Sequence, residues 1–285
     1  MTRIARLIPG DEGRLDAYLA GHPATSLFLR SNLRRAGLVD QGRRFHGRYA
    51  AALTAEGDIV GVIAHCWNGN MLIQAPPVLA VELARHLMAD GDRPLCGLVG
   101  PLAAARAVAE AFSELSFQRG GAEDLFDLSL DRLVVPPLLS SGACDWRRAT
   151  AQDIPLLAGW RVDYSVEALE AVPDATLRAQ AEADIAAGVQ TGDVFVLTGA
   201  DGAILSMATH NARIPDTVQI GGVWTPRDLR GRGYARAVVA GALLAARDDG
   251  ARLAVLFTGK ENEPARRAYL ALGFQVIGDY AILLH

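Results

Sequence analysis

The feature that most constrains the fold of this 285-residue chain is a weak internal repeat. Residues 6–11 (RLIPGD) resemble residues 148–153 (RATAQD), which lie 142 positions later. Residues 56–65 (EGDIVGVIAH) resemble residues 201–210 (DGAILSMATH), at an offset of 145. Since self-similarity at a fixed period marks a repeated structural unit, we predict a duplication with roughly 140 residues in each copy.

Both copies continue with the same order of predicted elements. A glycine turn joins two β-like runs, which predicts a hairpin. A strand follows (70–75 and 218–223), then a helix, a second strand (95–99 and 253–257) and another helix. The Pro-Pro and Gly-containing stretch 134–142 reads as a linker. We therefore predict domains at 1–138 and 144–285, a division that the length of the chain allows.

Composition excludes several classes of protein. A net charge of −4 gives no support to nucleic-acid binding. No apolar run approaches the roughly 18–20 residues of a membrane span, and the N-terminal residues lack a signal-peptide core. Three scattered cysteines, Cys66, Cys96 and Cys144, indicate buried small side chains in a reducing compartment. We expect a cytoplasmic protein without a metal site.

Residues 230–235 (RGRGYA) are the clearest candidate for a ligand-binding element. They lie between an apolar strand-like run, 218–223, and an amphipathic helical run, 235–247. A glycine-rich turn before a helix presents free backbone N–H groups and the positive end of the helix dipole, which together bind phosphate. The arginines of the turn and Arg236 add positive charge.

The first copy lacks this turn. After its equivalent strand it reads QAPPV at 74–78, without a glycine and with prolines that have no N–H to donate. We therefore predict that the first copy does not bind phosphate in the same way.

Two other phosphate-binding classes do not fit the turn. A dinucleotide fingerprint needs a third glycine where Arg236 stands, and an acidic residue at a strand end about 20 residues later. A P-loop needs Gly-Lys followed by Ser or Thr, which is absent.

The last predicted helix places a second set of residues on one face, Asn262, Arg266, Tyr269 and Gly273. Two helical turns, about 11 Å, separate Asn262 from Tyr269. An extended ligand could contact both.

These two motifs resemble those of the Gcn5-related N-acetyltransferase (GNAT) superfamily. They are Arg230-x-x-Gly233-x-Ala235 and Asn262-x-x-Ala265-x-x-x-Tyr269-x-x-x-Gly273-Phe274. The stretch 222–235 and the ending 278–280 are most similar to the FR47-like branch. The resemblance covers about residues 145–285, and the first half is similar in layout only.

The resemblance implies an α/β (α+β) fold of tandem GNAT-like domains, each with a mixed, mostly antiparallel central sheet flanked by helices. Domain 144–285 is then the catalytic acetyltransferase, and 1–138 a degenerate, non-catalytic copy. It also implies acetyl-CoA as acyl donor, with pyrophosphate on the 230–235 loop and pantetheine along the preceding strand and Asn262. The implied cofactor-binding residues are Val223, Trp224, Thr225, Arg230, Gly231, Arg232, Gly233, Tyr234, Ala235, Asn262 and Arg266.

The resemblance places Tyr269 beside the thioester sulfur, and its chemistry agrees. A phenol can protonate the thiolate that leaves when an amine attacks a thioester, and backbone N–H groups can polarise the carbonyl. Direct transfer in a ternary complex needs no covalent intermediate. For the general base the sequence leaves Glu167, Tyr164, His210 and Gln219 open. Glu167 and Tyr164 are favoured because, three residues apart, they can share a helix face.

The expected partner is a small-molecule amine, with neither nucleic acid nor membrane, and the chain is expected to be a monomer or homodimer. The FR47-like branch resembles glycine N-acyltransferases, which suggests amino acids or other small amines as acceptors. The alternative is a non-catalytic acyl-CoA-binding sensor or interaction module, in which Tyr269 is only a core aromatic.

Overall fold

The computed structural model describes residues 2–89 and 91–285, which form two compact units. The first unit is Met1–Leu125 together with Gly278–His285, and the second is Phe126–Ile277. These bounds differ from the predicted segments 1–138 and 144–285, because residues 126–138 lie in the second unit. The final eight residues lie in the first unit because they supply one of its strands.

The first unit has an antiparallel sheet with one parallel pair. Its strand order is β1-β2-β3-β4-β5, and β4 and β5 are the parallel pair. The last strand of the chain, β12, pairs antiparallel with β5, from Tyr280↔Pro101 to Leu284↔Gly97. The strands are β1 (Arg3–Arg6), β2 (Gly47–Leu53), β3 (Ile59–Cys66), β4 (Asn70–Gln74), β5 (Gly97–Pro101), β6 (Arg119–Ser129, whose last residues enter the second unit) and β12 (Gln275–Leu284). The helices are α1 (Glu12–Ala20), α2 (Leu27–Ala36), α3 (Pro77–Ala89) and α4 (Leu102–Ala111).

The second unit repeats this plan. Its strand order is β11-β10-β9-β8-β7, and only β10 and β11 are parallel among these pairs. The strands are β7 (Cys144–Arg148), β8 (Val194–Gly199), β9 (Ile204–Ile214), β10 (Thr217–Trp224) and β11 (Leu253–Gly259). The helices are α5 (Pro137–Ser140), α6 (Ile154–Leu169), α7 (Ala175–Thr191), α8 (Tyr234–Asp248) and α9 (Glu263–Leu270).

The predicted fold class is confirmed, since each unit has a mixed, mostly antiparallel sheet flanked by helices. The predicted linker is in part a short helix, α5. Cys66 and Cys144 are buried as expected, whereas Cys96 is half-buried. No helix in residues 2–89 and 91–285 is both long and apolar enough to cross a bilayer.

Helix α8 is fixed to the sheet of the second unit by a continuous apolar face. Val238, Ala242 and Leu243 are fully buried with Phe195 of β8, as the 3.6-residue periodicity predicts. Gly241 allows a close approach, because a Cβ there would lie 2.6 Å from the Cβ of Trp146. This packing holds the N-terminus of α8 at the end of β10.

Candidate functional site

The strands β10 and β11 separate halfway along their length. They pair in register only over Thr217↔Leu253, Val218↔Ala254 and Gln219↔Val255, although both strands continue further. Beyond Gln219, the edge of β10 that faces β11 is therefore available to pair with an extended ligand, since strand N–H and C=O groups need partners.

A β-bulge lies in the separated part of β10. The register with β9 shifts after Gln219 and again between Gly221 and Trp224. Gly222 has φ of +55°, and a Cβ at this position would lie 2.7 Å from Oγ1 of Thr209. Glycine is therefore required both by the left-handed backbone and by the lack of space.

The loop after β10 contains the predicted glycine turn, whose binding of an anion stays a prediction. Gly231 and Gly233 have φ of +77° and +82°, and Gly233 is the N-cap of α8. Among the described residues, none accepts a hydrogen bond from the six consecutive backbone N–H groups of residues 231–236. The first backbone bond of the helix runs from the Ala237 N–H to the Gly233 carbonyl. A row of unpaired donors at the positive end of a helix is a site for phosphate.

The side chain of Arg230 is directed away from this turn. Its Nη1 lies 2.8 Å from Oε1 of Glu167, and its Nε donates to the Thr225 carbonyl at 3.0 Å. Its guanidinium also stacks on the Trp224 ring, 4.7 Å from the centroid. In this arrangement Arg230 joins α6 to the loop, and the prediction that its charge serves the phosphate finds no support here.

Two other arginines lie closer to the unpaired N–H groups in sequence. Arg232 is exposed and donates to the Asp228 carbonyl at 3.2 Å. The Nε of Arg236, in the first turn of α8, is buried and has no hydrogen-bond partner in the described structure. A buried donor without a partner is rare and costly, and a phosphate oxygen would satisfy it.

Glu167 is held by two arginines. Besides Arg230, the Nη2 of Arg227 lies 2.9 Å from Oε2 of Glu167. The hydrogen bond from Arg230 is the main reason that the pKa of Glu167 is lowered, and the bond from Arg227 adds to it. A carboxylate stabilised in this way is a weak proton acceptor. These contacts favour a role for Glu167 in positioning Arg230, and its predicted role as general base stays a prediction.

The predicted cofactor-binding residues at the end of β10, Val223 to Thr225, already form several contacts within the protein. The Trp224 carbonyl accepts from the Ser206 hydroxyl at 2.9 Å, and the hydroxyls of Ser206 and Thr225 are 2.8 Å apart. Nε1 of Trp224 is buried without a partner in the described structure. Val223 packs against the core cluster that includes α8.

The two other candidates for the general base, His210 and Gln219, form contacts in the interior of the second unit. His210 is buried, with its ring 4.6 Å from that of Phe195 and its Nε2 3.2 Å from the Ala242 carbonyl. Burial lowers the pKa of His210 to about 4. Gln219 donates from Nε2 to the Ile220 carbonyl at 2.7 Å. Neither side chain has contacts that would place it at a reacting amine.

Asn262 and Arg266 are both engaged on α9. The Oδ1 of Asn262 accepts from the Ala265 N–H at 3.3 Å and so caps the helix. Nη1 of Arg266 pairs with Oε1 of Glu263 at 3.1 Å. Their predicted contacts to acetyl-CoA stay predictions.

Tyr269 is fixed by packing on two sides. It is 9% exposed, and its ring meets the rings of Phe126 and Phe274 edge to face, each at 6.0 Å. The left-handed Gly273, with φ of +100°, ends the helix and lets the Phe274 N–H bond to the Tyr269 carbonyl at 3.2 Å. The end of α9 thus gives Tyr269 a single well-defined position.

Helix α6 presents a pair of residues to the bulge of β10. The guanidinium of Arg161 stacks on the ring of Tyr164, 5.1 Å from its centroid. Nη1 of Arg161 lies 3.5 Å from the place where a Cβ of Gly222 would be. Arg161 was not among the predicted site residues. Its position three residues before Tyr164, on the same helix face, is the signal that could have identified it.

The equivalent region of the first unit is filled by the unit's own side chains. A Cβ on Gly100 of β5 would lie 2.6 Å from the Ile73 carbonyl oxygen, so β4 and β5 stay close past their last register pair, Leu72↔Val99. The Gln74 carbonyl accepts from the Tyr18 hydroxyl at 3.2 Å, and the Gln74 side chain accepts from the Thr25 hydroxyl at 2.6 Å. Helix α3 begins at Pro77 without a glycine turn.

Known proteins resemble the chain in family and in fold. Residues 157–274 match the acetyltransferase (GNAT) family. No curated protein sequence matches the chain. An X-ray structure of a Drosophila protein is 13% identical with a TM-score of 0.65, over 100% of this chain and 99% of that one. A GCN5-related N-acetyltransferase from Sphaerobacter thermophilus is 14% identical with a TM-score of 0.60, over 99% and 94%. A tandem GNAT protein from the clavulanic acid biosynthesis pathway, solved without AcCoA, is 14% identical with a TM-score of 0.56, over 99% and 97%. At these identities the structures establish a shared fold.

Proposed function

We propose that the chain is an N-acetyltransferase of the GNAT superfamily, because residues 157–274 of its second unit match that family. The proposed reaction moves an acetyl group from acetyl-CoA to the primary amine of a small molecule or an amino acid. Transfer is direct, within a ternary complex.

The observation that carries this proposal is the row of unpaired N–H groups at 231–236, at the end of a strand that has separated from its neighbour. The turn can hold a pyrophosphate, and the free edge of β10 can pair with the amides of a pantetheine arm. The buried Nε of Arg236 supplies a further donor that has no partner in the described structure. The residues present therefore fit acetyl-CoA.

When bound, acetyl-CoA supplies the acetyl group as a thioester. The N–H groups of residues 231–236 bind the pyrophosphate, and β10 orients the arm so that its acyl end reaches the bulge at Gly222. A backbone N–H of β10 polarises the thioester carbonyl. As the amine nitrogen bonds to the acyl carbon, the carbon–sulfur bond breaks and Tyr269 donates its phenolic proton to the sulfur. The amine nitrogen loses one proton, which the Tyr164 hydroxyl relays to solvent, and the Tyr269 phenolate regains a proton from water.

One observation favours the alternative, a non-catalytic acyl-CoA-binding module. Tyr269 is packed between Phe126 and Phe274, as a purely structural aromatic would be. The two functions differ in turnover and not in binding of acetyl-CoA.

Titration calorimetry with acetyl-CoA, followed by a CoA-release assay over amines and amino acids, tests the proposal. We expect one binding site per chain and acetyl transfer to at least one amine. Binding without transfer to any amine would favour the non-catalytic alternative, and absence of binding would overturn both.

A further inference from the structure

Arg161 of α6 is a half-buried cation without a counter-ion in the described structure. Its guanidinium stacks on Tyr164, and no described carboxylate or carbonyl accepts a hydrogen bond from it. Glu167 lies further along the same helix, but its two oxygens are already paired with Arg227 and Arg230. A partly buried charge is normally paired, since removing it from water is costly.

Arg161 lies near the expected position of the thioester and not near the expected position of the phosphates. Its Nη1 is 3.5 Å from the Cβ position of Gly222 in the bulge, nine residues before the first unpaired N–H at Gly231. An acyl-CoA whose pyrophosphate lies on 231–236 and whose arm follows β10 brings its neutral thioester toward the bulge. Acetyl-CoA therefore has no negative charge to offer Arg161.

The polar groups nearest to the bulge cannot neutralise Arg161 either. Oγ1 of Thr209 lies 2.9 Å from the Gly221 carbonyl oxygen and 2.7 Å from Oδ1 of Asn211, and its one proton can be donated to either. Both side chains are uncharged. A negatively charged group on the second substrate would supply the counter-ion.

We propose that the acceptor amine carries a carboxylate, as in an amino acid, and that Arg161 binds this carboxylate. This inference rests on the proposed acetyltransferase function and names the substrate class of the same site. A guanidinium matches a carboxylate with two parallel hydrogen bonds. Stacking on Tyr164 holds the guanidinium plane in place, so binding requires little further ordering of the side chain.

The test compares acceptors that differ only in the carboxylate, such as phenylalanine and 2-phenylethylamine, across a panel of such pairs. We expect the wild-type protein to favour the carboxylate-bearing member at least tenfold in kcat/KM. Arg161→Gln should raise KM for that member about tenfold or more, as loss of a charge-assisted hydrogen bond does. It should lower kcat/KM for the neutral amine much less, because only the stacking on Tyr164 is lost there, and it should leave Kd for acetyl-CoA unchanged.

Two variants serve as controls. Arg161→Lys keeps the charge and should retain part of the preference, which separates carboxylate binding from a packing defect. Arg178→Gln removes an exposed arginine of α7 and should change neither preference nor affinity. Circular dichroism and thermal melting confirm that each variant is folded.

The possible results distinguish failure of this inference from failure of the proposed acetyltransferase function on which it rests. Equal loss of kcat for both members of a pair would mean that Arg161 acts on the shared thioester, and a wild-type preference for neutral amines would exclude a carboxylate subsite. Either result overturns the inference and leaves the acetyltransferase intact. Calorimetry on the wild type tests the function independently. If acetyl-CoA does not bind, both the proposed function and the inference fail.

Discussion

Oε1 of Glu167 lies 2.8 Å from Nη1 of Arg230, so that an ion pair joins the end of α6 to the loop before α8. The carboxylate side chain is 32% exposed, which limits its contribution to stability to about 1 kcal/mol or less. Its main effect is to hold Arg230 against Trp224 and thereby to shape the loop.

Glu167→Gln should therefore raise Kd for acetyl-CoA about three- to tenfold with little change in kcat, because the loop loses an anchor rather than a catalyst. Calorimetry and steady-state kinetics measure the two effects separately. Asp163→Asn, an exposed change on the same helix, is the matched control. A general base would show the reverse pattern, with kcat lowered by roughly 100-fold or more and Kd unchanged.

Tyr269→Phe should preserve Kd for acetyl-CoA and lower kcat by about tenfold or more, since only the phenolic proton is removed. The ring contacts to Phe126 and Phe274 do not involve the hydroxyl, so the melting temperature should change little. Unchanged kcat would remove Tyr269 from the mechanism.

Gly231→Ala should weaken acetyl-CoA binding about tenfold or more. A left-handed alanine costs roughly 1–2 kcal/mol, and its methyl group would occupy the open space in which a phosphate is expected. Gly202→Ala is a close control, because Gly202 has φ of +79° and equally open surroundings in the β8–β9 turn. Equal loss of binding in both variants would indicate general destabilisation instead of a phosphate site.

His210 should make the second unit less stable as the pH falls from 6.5 toward 4. Burial lowers its pKa in the folded state to about 4, so the unfolded chain binds the proton more readily over this range. Each unit of pKa corresponds to about 1.4 kcal/mol, which gives a loss of up to about 3 kcal/mol. Above pH 6.5 the contribution is fully present.

Urea denaturation at a series of pH values, followed by tryptophan fluorescence, measures this dependence. His210→Gln should flatten the stability curve between pH 6.5 and 4, whereas His22→Gln, at an exposed position, should not. An unchanged slope in His210→Gln would assign the effect to other groups.

A single binding site for acetyl-CoA per chain is expected, because Tyr18 and Thr25 occupy the end of β4 in the first unit. Calorimetry should give a stoichiometry near one for the full chain. Two equivalent sites would mean that acetyl-CoA can bind at the end of β4 in the first unit despite the contacts of Tyr18 and Thr25.

Local features of the site could be predicted from the sequence, whereas most long-range contacts could not. The glycine turn at 230–235 and the face of α8 depend on neighbouring residues, and periodicity and turn chemistry reveal both. The ion pair between Glu167 and Arg230 joins residues 63 positions apart, and nothing in the sequence pattern specifies it. The sequence pattern predicts the side chain of Arg230 at the phosphate, whereas in the structure it is paired with Glu167 of α6.

The return of residues 278–285 to the first unit could not be predicted for a similar reason. The apolar run 280–284 (YAILL) predicts a strand but does not indicate its neighbour, and pairing with β5 depends on the whole fold. Helix α7 was also missed, since its many alanines give it good helix propensity but little periodic contrast.

The return of β12 to the first unit has a consequence for biosynthesis. Residues 280–284, which border β5, are synthesised long after residues 97–101, so the sheet of the first unit stays incomplete until the whole second unit has been made. At typical elongation rates this delay is on the order of 10 s. During that time β5 lacks its partner strand and is an exposed edge, open to pairing with another nascent chain. Emergence of residues 280–284, rather than of the N-terminal half, is the event that allows the sheet of the first unit to be completed.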